Sequence, residues 1–258
     1  MIRMALHLFR YELRAFLRNR QFQFFTLALP VLFLVIFASV FGGSGKTTAV
    51  AGGAISTSAY YVPGIIALGV IAACFGNLAA SVIAQRERGV LKRRRAAPVP
   101  AAAVIAGRVL TQLAVAVVMA AVLLGIGWAA YGAHVPSRTA PALVVTVMIG
   151  AASFCCLGFA LTSFIHNEDA ALPTAMAFTL PLYFISGVFV AVTALPHWLA
   201  GVGDVFPVRH LANALLAAYN PHTTGLGFAG RDLLIVAAWG AAGLLIAIRK
   251  FNWLPLGH

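Results

Sequence analysis

Long apolar runs are the feature that most constrains how this chain folds. An α-helix needs about 20 apolar residues to cross the roughly 30 Å hydrocarbon core of a bilayer. Six runs approach or exceed that length: Phe22–Phe41, Tyr61–Ala84, Val104–Ala130, Leu143–Ile165, Ala171–Val192 and the shorter Leu233–Ile248. Since the chain is 62% hydrophobic and only 9% charged, against about 45–50% and 25% in soluble domains, we predict an all-α, multi-pass membrane protein with six transmembrane helices.

The first 20 residues form a separate segment. On a helical wheel the basic side chains share one stripe and the apolar side chains the opposite one, the pattern of a helix lying flat in the membrane interface. We therefore divide the chain into a cytoplasmic interfacial helix, 1–20, and a six-helix transmembrane domain, 21–258. A cleaved signal peptide is not favoured, because the next apolar run has span length and no A-x-A site follows it.

The basic residues set the orientation. With six spans, 14 of the 18 Lys and Arg residues fall on the side that holds both termini. The positive-inside rule makes that side cytoplasmic. The net charge of +12 is thereby explained by anionic membrane lipid rather than by nucleic acid.

The densest block of charge is Gln85–Pro100, which reads QRERGVLKRRRAAPVP. Gly89 is expected to end the helix of the second span, Val90–Arg95 can form about one and a half helical turns, and prolines follow before the third span. An ordinary cytoplasmic loop needs positive charge but no particular order of residues. The order here, with Glu87 as a lone acid among cations, indicates a docking element.

The other cytoplasmic loop holds Glu168 and Asp169. It is either a solvated turn, with Asp169 favoured near the positive end of the fifth helix dipole, or a second contact with a cytoplasmic partner. Both interpretations remain open on the sequence.

Residues that carry chemistry are sparse. The runs contain no Asp, Glu, Lys or Arg away from their ends, which argues against an ion-coupled secondary transporter. Gly42–Thr48, GGSGKTT, is not a P-loop, since Val40 stands where the first glycine is required, and we interpret it as a flexible external linker. We predict no catalytic residue, no metal and no cofactor bound by this chain. The alternative, a membrane enzyme or scaffold, would need Asp204, His210 and Asp232 to meet.

The external connection between the fifth and sixth runs is too long for a turn and too apolar for a solvated loop. We predict short helices at Pro196–Gly201 and Val208–Tyr219 that re-enter the outer leaflet, where irregular backbone must be covered by protein. Asp204 and Arg209 are expected to form an ion pair at this interface.

Polar and aromatic residues inside the runs have two interpretations. Interhelical hydrogen bonds account for most such polar groups in membrane proteins. The alternative is contact with a large amphipathic substrate. The candidates for that path are Phe75, Asn77, Phe178, Tyr183 and Phe184.

Several motifs resemble those of the ABC-2 type transporter permeases. Arg86–Lys92, RERGVLK, with Pro98-Val99 is similar to the family's loop between spans two and three, except that Ala97 replaces its usual threonine. Tyr61–Ile65, YVPGI, resembles the opening of its second span. Leu180–Gly187, LPLYFISG, continued by Leu195–Leu199 and Phe206-Pro207, resembles its late signature.

The resemblance implies a membrane subunit of an ATP-binding cassette exporter, without its own ATPase. It implies a pair of permeases, identical or paralogous, on two cassette ATPase subunits that bind ATP and Mg²⁺, in a bacterial plasma (inner) membrane. The coupling helix that docks on the ATPase would contain Glu87, Arg88, Gly89, Val90, Leu91, Lys92, Arg93, Arg94 and Arg95. Loop and length are most similar to drug and antibiotic exporters, with polysaccharide or glycolipid exporters as the alternative.

Overall fold

The computed structural model describes residues 2–18, 20–43, 46–90, 101–165, 167–189 and 196–250. Ten α-helices lie within these ranges: α1 (Ile2–Arg18), α2 (Arg20–Phe41), α3 (Thr57–Ile71), α4 (Leu78–Glu87), α5 (Ala101–Tyr131), α6 (Ala140–Thr162), α7 (Glu168–Ile185), α8 (His197–Gly203), α9 (Pro207–Tyr219) and α10 (Gly230–Lys250). A π-helical segment, Ala72–Asn77, joins α3 to α4 without a break.

Within the described ranges, four helices are long and apolar enough to cross a membrane. They are the continuous Thr57–Glu87, then Ile105–Tyr131, Ala140–Thr162 and Gly230–Lys250. In α2 the apolar described stretch is the shorter Thr26–Phe41, and α7 begins with two acids. The multi-pass architecture is therefore shown, while the count of six spans stays a prediction.

Helix α3 lies at the centre of the fold. Every residue from Ser58 to Ile71 is buried, because α2, α5, α6 and α9 all pack around it. A helix that is apolar on all faces is typical of the middle of a bundle. The Thr57–Glu87 span is thus the one against which the others are positioned.

The first helix is amphipathic, as predicted. Arg10, Arg14 and Arg18 are exposed along one side, and α1 packs against the start of α5, where Gly107 lies against the Leu8 side chain. Its location in the membrane interface is consistent with this pattern and remains a prediction.

The fifth predicted run ends earlier as a helix than we expected. α7 stops at Ile185 rather than near Val192, and Gly187 adopts φ +82°, which favours glycine. The chain then turns back so that the Phe189 ring stacks on Phe37, with centroids 5.0 Å apart. An apolar run cannot reveal such a reversal, since the returning residues are themselves apolar.

The segment before α3, predicted to be external, contains a β-hairpin, which we did not expect from the sequence. Thr47–Val50 (β1) pairs antiparallel with Gly53–Ser56 (β2), and Gly52 in the turn has φ +84°. Thr and Val before a Gly-Gly pair are typical of a hairpin. The chain is mostly helical, as expected, with this hairpin as an exception, and the linker predicted at Gly42–Thr48 runs into a strand.

The short helices α8 and α9 occupy the two places where re-entrant helices were predicted. Most of α9 is buried against α3, α6 and α10. A segment that re-enters a bilayer must have its irregular backbone covered by protein, and the burial of α9 meets this requirement. The depth of these helices in the membrane stays a prediction.

The tightest helix contact joins α6 and α10. A Cβ built on Gly243 would lie 2.9 Å from the backbone nitrogen of Leu157, closer than real Cβ atoms approach. Small residues at this crossing let the two backbones meet, as is common between membrane helices.

Gly243→Ala should therefore destabilise the protein. Since the obstructing atoms are backbone, the helices must separate, at a cost of about 1–3 kcal/mol, or about 2–4 °C in melting temperature per kcal/mol. Thermal unfolding in detergent measures this effect.

The matched control is Gly125→Ala in α5, where no atom lies within 4 Å of the added Cβ. Both substitutions raise helix propensity alike. Equal melting temperatures for the two variants would contradict the packing argument.

Candidate functional site

The predicted coupling loop begins where α4 ends. Glu87 and Arg88 are exposed there. Gly89 adopts φ +67° and its backbone N–H donates to the Arg86 carbonyl at 3.1 Å, so glycine ends the helix as predicted. The described part of the loop ends at Val90. The remainder, to Pro100, lies outside the described residues and includes Leu91, Lys92, Arg93, Arg94 and Arg95.

Arg86 joins this end of α4 to the end of α6. Its side chain is only 1% exposed. Nη1 donates to the Thr162 carbonyl at 2.9 Å and Nη2 to the Ile165 carbonyl at 2.5 Å. The last carbonyls of a helix lack intrahelical partners and carry the negative end of its dipole, so the buried guanidinium supplies both donors and a favourable charge.

The two predicted cytoplasmic contacts meet in the structure. Arg88 Nη2 lies 2.8 Å from Glu168 Oε1, and Glu87 Oε1 accepts a hydrogen bond of 3.0 Å from the Glu168 backbone N–H. Asn167 caps α7 by accepting from the Asp169 N–H at 2.8 Å. The Asp169 side chain is exposed, which leaves one carboxylate facing solvent beside the coupling loop.

Arg108 at the start of α5 attaches two further elements. It donates to the side-chain oxygen of Gln85 in α4, and its Nε lies 3.8 Å from Glu12 Oε1 of α1. Its side chain is 6% exposed. The beginning of the loop is therefore connected by side chains to α1, α5, α6 and α7.

An apolar cavity of about 240 Å³ lies between α2, the α3–π segment and α7. Among the described lining residues none is charged, and the lining includes Phe33, Leu68 and Met176. Two predicted path residues, Asn77 and Tyr183, are part of this lining. The Asn77 amide makes no side-chain hydrogen bond to any described residue, so it is available to a ligand.

The other three path candidates lie elsewhere. Phe178 and Phe184 are 61% and 51% exposed on the outer face of α7, although the Phe184 ring also meets Phe189, with centroids 5.1 Å apart. The Phe75 backbone packs against Gly158 of α6. The structure brings together two of the five, and their role in substrate contact stays a prediction.

Beside the cavity, the α-helical hydrogen-bond pattern of the Thr57–Glu87 span changes to a π-helical one at Ala72–Asn77. Gln112 of α5 donates to the Ala73 carbonyl at 3.2 Å, which satisfies backbone that lacks regular α-helical bonding. π-Helical insertions are frequent at functional sites, and this one ends at Asn77 in the cavity wall.

The sequence profile of the ABC-2 type transporter family matches residues 5–220. The chain belongs to the ABC-2 type transporter family. The match covers α1 through α9, and so includes both the cytoplasmic network and the cavity.

Two curated relatives agree with this assignment. The chain is 26% identical over 161 residues to the probable multidrug ABC transporter permease YbhR of Escherichia coli strain K12 and, equally, to that of Escherichia coli O157:H7. The aligned part covers 62% of this chain and 43% of each relative. The chain thus spans less than half the length of the relatives that it matches.

An acid–histidine cluster lies where α9 and α10 meet, at the end of the bundle predicted to be external. His210 Nδ1 is 2.6 Å from Asp232 Oδ1, and Nε2 is 2.9 Å from the Asp204 backbone oxygen. The Asp204 carboxylate instead pairs with Arg209 at 3.0 Å, as expected. The cluster joins the three residues named for the enzyme alternative, with Asp204 contributing its backbone oxygen rather than its carboxylate.

Sequence reasoning missed the role of Arg86. Arg86 was grouped with the loop cations, since a run of basic residues does not reveal which one is buried. Its position at the end of a predicted span, directly before Glu87, was the signal that could have indicated burial. Gln112 lies within the third predicted run, and its bond to Ala73 is an interhelical hydrogen bond of the kind expected for polar residues there.

His210→Asn should lower the melting temperature of the purified protein. It removes a hydrogen bond to a carboxylate, worth about 1.5–3 kcal/mol, and detaches α9 from α10. Thermal unfolding is compared with that of His134→Asn, which changes an exposed external histidine. If His210→Asn left the melting temperature unaltered but abolished an enzymatic activity of the protein, that result would instead support a catalytic role for His210.

Proposed function

We propose that the chain is the permease subunit of an ATP-binding cassette exporter and moves an amphipathic molecule outward across the bacterial plasma membrane. The energy comes from ATP hydrolysed, with Mg²⁺, on two separate cassette subunits. Two permease subunits, identical or paralogous, assemble on them, with both termini of each cytoplasmic. Membership in the ABC-2 family supports the class, and similarity to permeases named as multidrug transporters supports the drug-like substrate.

The observation that carries the proposal is the network at the start of the Gln85–Pro100 loop. Hydrogen bonds and ion pairs connect that loop to four helices. A force applied to the loop by an ATPase would therefore reach the transmembrane helices directly. Glu87–Arg95 contains the docking element in this proposal, and Asp169 with Glu168 forms a second contact beside it.

The cavity favours an apolar substrate over a polysaccharide. Recognition of sugars requires many hydrogen-bonding groups, because an unmatched hydroxyl loses its bonds to water. The described lining offers mainly aliphatic and aromatic surface, with Asn77 and Tyr183 as polar contacts. This supports a drug, an antibiotic or a lipid-like molecule rather than a glycan chain.

Glu87→Ala and the triple change of Arg93, Arg94 and Arg95 to Ala should uncouple ATP hydrolysis from export. The variants are expected to insert normally, because the spans are unchanged, while transport per ATP falls at least about tenfold. The measurement is dye export and phosphate release by complexes reconstituted in liposomes with the cassette ATPase. Arg138→Ala, an exposed external cation, is the control.

Normal export by both loop variants would refute the coupling assignment. ATP-independent export driven by a proton gradient in the same liposomes would instead support a secondary transporter.

Met176→Trp should reduce export of a lipophilic fluorescent dye. The larger side chain fills part of the cavity and leaves the cytoplasmic network intact. We expect a fall of about tenfold or more in dye export, with basal ATPase activity retained. Leu245→Trp on the exposed face of α10 is the matched control, and an equal effect of both substitutions would argue against the cavity.

A further inference from the structure

Arg86 and Arg108 are both buried near the start of the coupling loop, whereas the neighbouring Arg88 is exposed. Of the two buried arginines, Arg86 is the one that reaches the segment between α6 and α7. A charge removed from solvent to this degree, with 1% of the residue exposed, is costly unless hydrogen bonds replace its water. Here the partners are main-chain carbonyls, of Thr162 and Ile165, rather than a carboxylate.

The geometry requires arginine rather than any cation. The two carbonyls belong to Thr162, the last residue of α6, and to Ile165 in the segment that follows it, and one planar guanidinium reaches both through separate nitrogens. A lysine ammonium is a single point on a flexible stem and cannot reproduce that fork. The contact therefore fixes the direction of α4 relative to α6 as well as their distance.

Three consecutive residues at the end of α4 contact the short segment that connects α6 to α7. Arg86 binds the end of α6, and Glu87 and Arg88 bind Glu168 at the start of α7. The Glu87 and Arg88 contacts are exposed, and such pairs contribute little by themselves. Arg86 is the buried contact that holds the two segments in register, so that the exposed ones can form.

The same two segments continue into the cavity wall. The Thr57–Glu87 span contributes Leu68, Gly76 and Asn77, and α7 contributes Met176 and Tyr183. A displacement of the loop that moved α4 alone would shear one wall against the other. A displacement that moved α4 and α7 together would move both walls as one body.

We propose that Arg86 is a positioning residue that makes the coupling loop and the α6–α7 turn move as a single unit. Movement of that unit shifts both of its cavity walls against α2, which forms a third wall of the apolar cavity. This inference rests on the proposed function, since it needs an ATPase that moves the loop. It adds a residue and a mechanical step that the docking assignment does not contain.

The test is the amount of dye exported per ATP hydrolysed. Arg86→Lys and Arg86→Gln are reconstituted in liposomes with the cassette ATPase, beside the wild-type chain. We expect Arg86→Lys to insert, to bind the ATPase and to permit hydrolysis, with export per ATP lowered at least about tenfold. Arg249→Lys, the same change at an exposed cytoplasmic position, should export like the wild type.

A purely structural role for Arg86 would lower the melting temperature and the yield but leave export per ATP unchanged in the protein that folds. That result would overturn the inference. If liposomes that contain the wild-type complex showed no ATP-driven export, the proposed function itself would be overturned. The two failures are therefore distinguishable.

A second measurement does not depend on the folding of Arg86 variants. Arg88→Cys and Glu168→Cys are combined, and a short thiol cross-linker joins the two loops. Export before and after cross-linking should agree within about twofold, because the loops already move together. Loss of export on cross-linking, reversed when a cleavable linker is cut, would show that they separate during transport and would overturn the inference.

Discussion

The burial of a charged side chain at the end of a membrane span organises the end of the bundle at which the Gln85–Pro100 loop begins. The Arg86 guanidinium is surrounded by protein and donates to the carbonyls of Thr162, at the end of α6, and of Ile165, beyond it. Each of these bonds offsets part of the cost of removing the guanidinium from water. The start of the Gln85–Pro100 loop is thereby attached to the segment between α6 and α7, and α7 lines the cavity.

The same requirement for paired polar groups explains features deeper in the bundle. The π-helical segment departs from regular α-helical bonding, and Gln112 donates to one of its carbonyls. Where α8 and α9 meet, Arg209 donates to the Ala200 carbonyl of α8, and His210 Nε2 contacts the Asp204 backbone oxygen in the turn between the two helices. Irregular backbone occurs in this fold where a side chain from a neighbouring element reaches it.

Much of the fold was predictable because hydrophobic periodicity and length are local properties. The helices of the described spans begin and end within a few residues of the predicted runs, and Gly89 ends α4 as its type requires. The early end of α7 and the β-hairpin were missed, since one depends on a tertiary reversal of apolar chain and the other has only four residues per strand. The candidate site was predictable in part: the sequence marked Glu168 as cytoplasmic and Asn77 and Tyr183 as unusual within spans, but it did not show which residues they meet.

By itself the sequence determined a multi-pass membrane protein of the ABC-2 family, with its basic loop between the second and third runs, because hydrophobicity, charge and motif order are written along the chain. Only the tertiary structure decided which arginine is buried, that the two cytoplasmic loops touch, and which path residues share a cavity. Those outcomes depend on distances between residues far apart in the chain, 76 positions for Arg86 with Thr162 and 80 positions for Arg88 with Glu168. Packing of the helices around α3 sets such distances, and no local pattern contains them.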